Sequence, residues 1–308
     1  MPIDNINKIA VPSLLPINPL GENPINQAAN NSSLLCALRD VQQAEARTTR
    51  EVKQLTPIDY NTYRSTKSFG SRVRFLVIHY TAAGFSSSIN ALTGGNVSAH
   101  YLVPDPTERS YIQAGHKEMR IFNLVDEKER AWHAGISAWK GRTNINDTSI
   151  GIEIINQAQD HGGGQFTFPA FNPQQVEAVK DLAANIIQRY PDISPTNVVG
   201  HSDISVGRKS DPGPAFPWQA LYQEGIGAWY DESTKQQYEE QFKAGLPARN
   251  ELINKFKNYG YDVSKANTVP GFQALTRAFQ LHFRQSDYSG TMDKETAAIL
   301  YALSEKYA

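Results

Sequence analysis

The chain has 308 residues, with 30 lysines and arginines against 31 aspartates and glutamates, a formal charge of −1. That balance makes no general case for nucleic acid or an anionic membrane as partner, and no run reaches the roughly 18 consecutive apolar residues of a membrane span. A single cysteine, Cys36, excludes an intrachain disulfide, so stability has to come from packing and metal.

The first residues, Met1 to Lys8, lack the basic start and apolar centre of a secretory signal. Pro12, Pro16, Pro19 and Pro24, with many asparagines up to Asn31, read as extended or disordered chain. From Ser33 to Leu55 the pattern changes. Leu34, Leu38, Val41 and Val52 among polar residues predict an amphipathic helix capped by Ser32 or Ser33. Cys36 is expected on a face of that helix as a small apolar residue.

Next, Val73 to Thr81 is rich in β-branched and aromatic residues and predicts a buried strand that delivers His79 near its end. A second strand-like run, Asp147 to Asn156, carries Glu153 among aliphatic neighbours. A carboxylate there is costly to bury without a task, and accepting a proton from water is the task that fits. Between Pro173 and Tyr190 a helix is predicted, with Val176, Val179, Leu182, Ala183, Ile186 and Ile187 on the face that covers the sheet.

Then comes Val199 to Pro214, a glycine- and proline-rich loop bearing His201, Lys209 and Asp211. His201 and Asp211 are ten positions apart, too far for one helical face but within reach of a loop that folds back. A catalytic zinc takes three protein ligands and leaves one position open for water. His79 is the best third donor, because a strand end holds a ligand more rigidly than a loop does. Past Trp229, apolar residues recur at three and four positions and predict helices over 246–259, 271–283 and 293–303, with Gly260 and Gly290 at ends or turns.

The strand ending in His79, Ser98-Ala99-His100-Tyr101, Ala131-Trp132-His133-Ala134-Gly135, the strand with Glu153, and Gly200-His201 followed by Lys209-Ser210-Asp211-Pro212-Gly213-Pro214 occur in this order. Together they resemble the zinc-dependent N-acetylmuramoyl-L-alanine amidases of the AmpD and AmiD type, in the superfamily of phage amidase lysozymes and peptidoglycan recognition proteins. The resemblance spans about Tyr60 to Trp229. It implies His79, His201 and Asp211 as zinc ligands, Glu153 as general base and Lys209 as the cation that steadies the oxyanion. His100, Tyr101 and His133 are substrate-pocket candidates, whereas His116, His161 and His282 are expected at the surface. Residues 274–280 and 290–298 resemble the small helical peptidoglycan-binding domain found on cell-wall hydrolases.

The resulting expectation is an α/β fold, a mixed central β-sheet flanked by helices, with a small all-helical C-terminal domain. Residues 1–56 form an N-terminal extension, 57–230 the zinc amidase domain with its metal at the sheet edge, and 231–308 the peptidoglycan-binding-like domain. The activity implied is hydrolysis of the amide between N-acetylmuramic acid and L-alanine of the stem peptide. The expected target is polymeric wall, reached by a signal-independent route such as type VI secretion, as an antibacterial effector with an immunity protein as partner. A cytoplasmic recycling amidase acting on anhydro-muropeptides, a muropeptide-binding module without turnover, and a zinc peptidase cutting within the stem remain open alternatives.

Overall fold

A computed structural model of the chain describes residues 59, 62, 63, 65, 70, 72–162 and 165–308. The chain divides into two compact units, Met1–Lys67 and Ser68–Ala308. In the first, the Thr62 backbone N–H donates to Asp59 Oδ1 at 2.9 Å. The extension expected over 1–56, with its helix from Ser33 to Leu55, lies outside the described residues.

Among its described residues the second unit contains nine strands: β1 (Phe75–Tyr80), β2 (Tyr101–Val103), β3 (Phe122–Asn123), β4 (Ala138–Trp139), β5 (Arg142–Thr143), β6 (Ser149–Ile154), β7 (Gln159–Asp160), β8 (Phe166–Thr167) and β9 (Val198–Gly200). Five of them form the main sheet in the order β3-β2-β6-β1-β9, and the others form two small hairpins. Strands β2, β6, β1 and β9 are mutually parallel, while β3 runs antiparallel on β2. The sheet is therefore mixed, as expected.

Strands buried on both faces need no polar alternation, and Phe75 to Ile78 together with Ile150, Ile152 and Ile154 are at most 2% exposed. The helix Pro173–Arg189 begins with a reciprocal cap. Asn172 Oδ1 accepts the Gln174 N–H at 2.9 Å, and Gln175 Oε1 accepts the Asn172 N–H at 3.0 Å. Val179, Leu182, Ala183 and Ile186 are buried, and Val176 and Ile187 pack against the same core.

The C-terminal helices span Glu232–Gln241, Arg249–Tyr259, Val269–Phe283 and Lys294–Tyr307. The second starts three residues later than expected because Pro247 disfavours helical backbone at Leu246. The third starts earlier, since the Thr268 side chain caps the Gly271 N–H at 3.1 Å and Pro270 fits the first turn. Glu232–Gln241 has no sequence expectation behind it. It buries no residue fully, so it carries no apolar stripe to read.

The expected boundary at 230/231 does not separate two cores. Phe256, Phe279, Phe283 and Leu300 belong to the same continuous apolar cluster as Ile78, Ile150 and Val199. A buried polar knot reinforces the junction. Asp203 accepts from the Gly200 N–H at 2.7 Å, from Tyr261 Oη at 2.6 Å and from His282 Nδ1 at 2.7 Å. The surface position expected for His282 is thus corrected: it is 3% exposed and stacks on Trp218 with ring centroids 3.8 Å apart. Its isolated position in sequence gave no hint of the carboxylate waiting across the fold. Among the described residues no helix is long and apolar enough to cross a membrane.

Candidate active site

Three strands that are adjacent in the sheet end together. β1 delivers His79 next to its last residue, β6 delivers Glu153 as the register partner of His79, and β9 ends at Gly200 and turns into a one-turn helix, His201–Ile204. Asp211 returns on the following loop, where its carbonyl accepts the Ser202 N–H at 2.9 Å. Gly200 makes this return possible, since a Cβ there would stand 2.8 Å from Pro212 Cδ. The site is accordingly at the end of the sheet where His79, Glu153 and the His201 to Asp211 loop meet. It lies beyond the carboxyl ends of central strands, where open α/β sheets present their crevices.

His79, His201 and Asp211 converge. His79 Nδ1 is 3.0 Å from His201 Nδ1 and 2.9 Å from Asp211 Oδ2, and His201 Nδ1 is 3.1 Å from that same oxygen. Ligands about 2.0–2.2 Å from a tetrahedral zinc stand roughly 3.3–3.5 Å apart, close to this triangle. The donor chemistry fits as well. His201 Nε2 lies 3.0 Å from the Ala134 carbonyl, which only accepts, so a proton on this nitrogen is satisfied there and leaves Nδ1 as a lone pair towards Asp211. Lone pairs gathered at one buried point call for a cation, and these three side chains are a group that could hold a metal ion.

Burial and the neighbouring His201 push His79 down to about 4, which keeps its ring neutral and free to ligate at ordinary pH. Glu153 behaves oppositely. Burial, then the Asp211 charge, drive it well above an ordinary glutamate, with Lys209 opposing. Its Oε2 is sealed from solvent and has no hydrogen-bond partner. Glu153, Lys209, Asp211 and Trp132 line one cleft of about 390 Å³, with Asp160 and Phe166 of the β7–β8 hairpin on its wall. An acid of raised pKa beside a metal-competent triad and a lysine can take up and return a proton.

His133 also reaches this cleft, with Nδ1 at 3.0 Å from His79 Nε2. His100 and Tyr101 do not, which corrects their expected place in the pocket. His100 is fully buried, its Nδ1 accepts the Gly151 N–H at 3.0 Å, and Tyr101 donates to Glu127 at 2.7 Å. Both hold neighbouring segments together. The sequence reading passes over Arg208, whose Nη2 donates to the carbonyls of Ala134 and Ile136, each at 2.8 Å. Adjacency to Lys209 was its only signal. Trp132, half exposed at the rim, stood in a quoted motif without a role.

Residues 69–214 match the family described as N-acetylmuramoyl-L-alanine amidase. The N-acetylmuramoyl-L-alanine amidase AmiD of Escherichia coli strain K12 is 46% identical over 248 residues, which cover 80% of this chain and 88% of AmiD. This chain belongs to the N-acetylmuramoyl-L-alanine amidases. The amidase also resembles the crystal structure of AmpDh3 from Pseudomonas aeruginosa, with 58% identity and a TM-score of 0.80 over 82% of this chain and 99% of that one. The structure of E. coli AmiD in complex with anhydro-N-acetylmuramic acid-L-Ala-D-γ-Glu-L-Lys gives a TM-score of 0.71, covering 80% of the amidase and 94% of AmiD.

Proposed function

We propose that this amidase cleaves the muramyl–L-alanine amide of soluble anhydromuramyl peptides, with His79, His201 and Asp211 holding a zinc ion. The observation that carries the reading is the convergence of three lone-pair donors beside an acid, Glu153, whose Oε2 has no protein partner. Zinc in that position supplies the Lewis acidity that makes water a nucleophile at neutral pH.

The chain's own groups do the rest. Glu153 orients the attacking water, takes its proton, and returns it to the departing amino group of L-alanine. Lys209 donates to the oxyanion that develops on the amide carbonyl, a contribution of about 3 to 4 kcal/mol for a single donor. Water supplies the oxygen and Glu153 the proton shuttle, so no serine or cysteine nucleophile is needed.

The substrate class rests on relatives. AmpDh3 has been seen in complex with an anhydromuramic pentapeptide and AmiD with an anhydromuramyl tripeptide. AmpD of E. coli, 38% identical over 40% of this chain, is named a 1,6-anhydro-N-acetylmuramyl-L-alanine amidase. These likenesses favour soluble fragments over polymeric wall, and nothing in them supports an exported effector or an immunity partner. Mass spectrometry of products from soluble anhydromuramyl peptides and, separately, purified sacculi tests the reading, with a chelated control. Zinc-dependent release of stem peptide from the soluble fragments is expected. Release from sacculi alone would overturn the substrate class, and no release from either would overturn the site assignment. Cosedimentation with sacculi tests the wall-binding role expected of the 231–308 helices.

A further inference from the structure

The Ala131-Trp132-His133-Ala134-Gly135 segment does more than line the cleft. We propose that His133 and Ser149 are positioning residues that fix the tautomer of His79, so that its Nδ1 is presented as a lone pair. The proposal rests on the reading of His79 as a metal ligand.

The direction of the chain is set at its far end. Ser149 Oγ donates to the Ile145 carbonyl at 2.7 Å, and a hydroxyl has one proton to give. Its oxygen is also 3.0 Å from His133 Nε2, so that contact is made by an N–H from His133. His133 is buried with no carboxylate against it, and burying a charge unpaired is costly, so the ring is neutral. With the proton on Nε2, its Nδ1 is an acceptor. Nδ1 stands 3.0 Å from His79 Nε2, which therefore carries the proton and leaves Nδ1 of His79 free. A backbone carbonyl three hydrogen bonds away thus decides which nitrogen His79 offers.

The surroundings allow His133 little freedom. Asn146 Oδ1 accepts from the backbone N–H groups of His133 and Ala134, at 3.1 and 2.7 Å. The His133 ring lies over Gly151 so closely that a Cβ there would stand 2.5 Å from its Cγ. The next residue, Ala134, provides the carbonyl that orients His201. One loop therefore orients both imidazoles, directly for His201 and through a second ring for His79. Outer-shell partners of this kind change metal affinity by about 10- to 100-fold when removed.

The test uses long-range ¹H–¹⁵N spectra of the full-length protein, chelated and zinc-loaded, with zinc affinity measured by chelator competition. His133 and His79 are both expected as Nε2–H tautomers, and Ser149→Ala is expected to weaken zinc binding about 10- to 100-fold while the His79 tautomer becomes mixed. An Nδ1–H tautomer at His133, or a folded Ser149→Ala protein with wild-type zinc affinity, would overturn the proposal. If the variant does not fold, the wild-type spectra decide alone. Wild-type protein that binds no zinc would remove the metal reading, and its His133 tautomer would still decide the relay.

Discussion

Two imidazole–carboxylate clusters share the one-turn helix His201–Ile204, one through Asp203 and one through His201, and they differ in their balance of protons. In the first, Asp203 receives three donors, the Gly200 N–H, Tyr261 Oη and His282 Nδ1, and is fully buried. In the second, Asp211 faces Nδ1 of His79 and of His201, whose outer nitrogens are engaged elsewhere. The first cluster is complete without any ligand and ties the C-terminal helices to the sheet. The second gathers His79, His201 and Asp211 around a point where a cation could be held. A close histidine–aspartate contact therefore says little about role until each proton is assigned.

Substitutions can break this contrast, and the largest effect is expected at Asp211. Asp211→Ala removes an inner ligand, so zinc affinity should fall by more than the roughly 100-fold seen for outer-shell changes, with turnover lost. Chelator competition and product release check this, and unchanged zinc binding would refute the ligand assignment. Glu153→Gln should retain zinc yet lower kcat by about 10²- to 10⁴-fold, as measured on a soluble anhydromuramyl peptide.

Asp203→Ala should act on the fold. Removing it leaves His282, Tyr261 and the Gly200 N–H without their acceptor in the core, a loss of about 3–5 kcal/mol read from denaturant unfolding. In chelated protein Asp211→Ala should cost less, and equal costs would erase the distinction between the clusters.

The smallest effect is a gain. The Glu153 carboxyl is raised by burial and by Asp211, so the fold disfavours its ionised form. That cost is absent below the unfolded value near 4.3 and grows as pH rises towards the folded one. Glu153→Gln should therefore stabilise the chelated protein by about 1–3 kcal/mol at neutral pH. The gain should vanish below about pH 4, and melting across pH checks it.

Much of this was legible in the chain. The aliphatic runs around His79 and Glu153 need burial on both faces, which makes them central parallel strands wherever the fold places them. The covering helix from Pro173 was equally readable, because its apolar stripe is a local signal. Helix 232–241 was not, since it buries nothing fully and so leaves no periodic trace.

Local pattern also named the donor types at His79, His201 and Asp211, because a metal site needs particular side chains and a loop able to bring them back. Their geometry is a different matter. That His79 and Glu153 are register partners follows from the pairing of β1 with β6, which joins residues far apart in sequence. That His282 is buried against Asp203 while His133 stands behind His79 follows from packing that no local pattern encodes. Sequence determined which chemistry was available, since side-chain type and local periodicity are written residue by residue. Tertiary structure alone decided which histidines converge on Asp211, which stands behind His79 and which is bound to Asp203, because that depends on what each ring nitrogen meets across the fold.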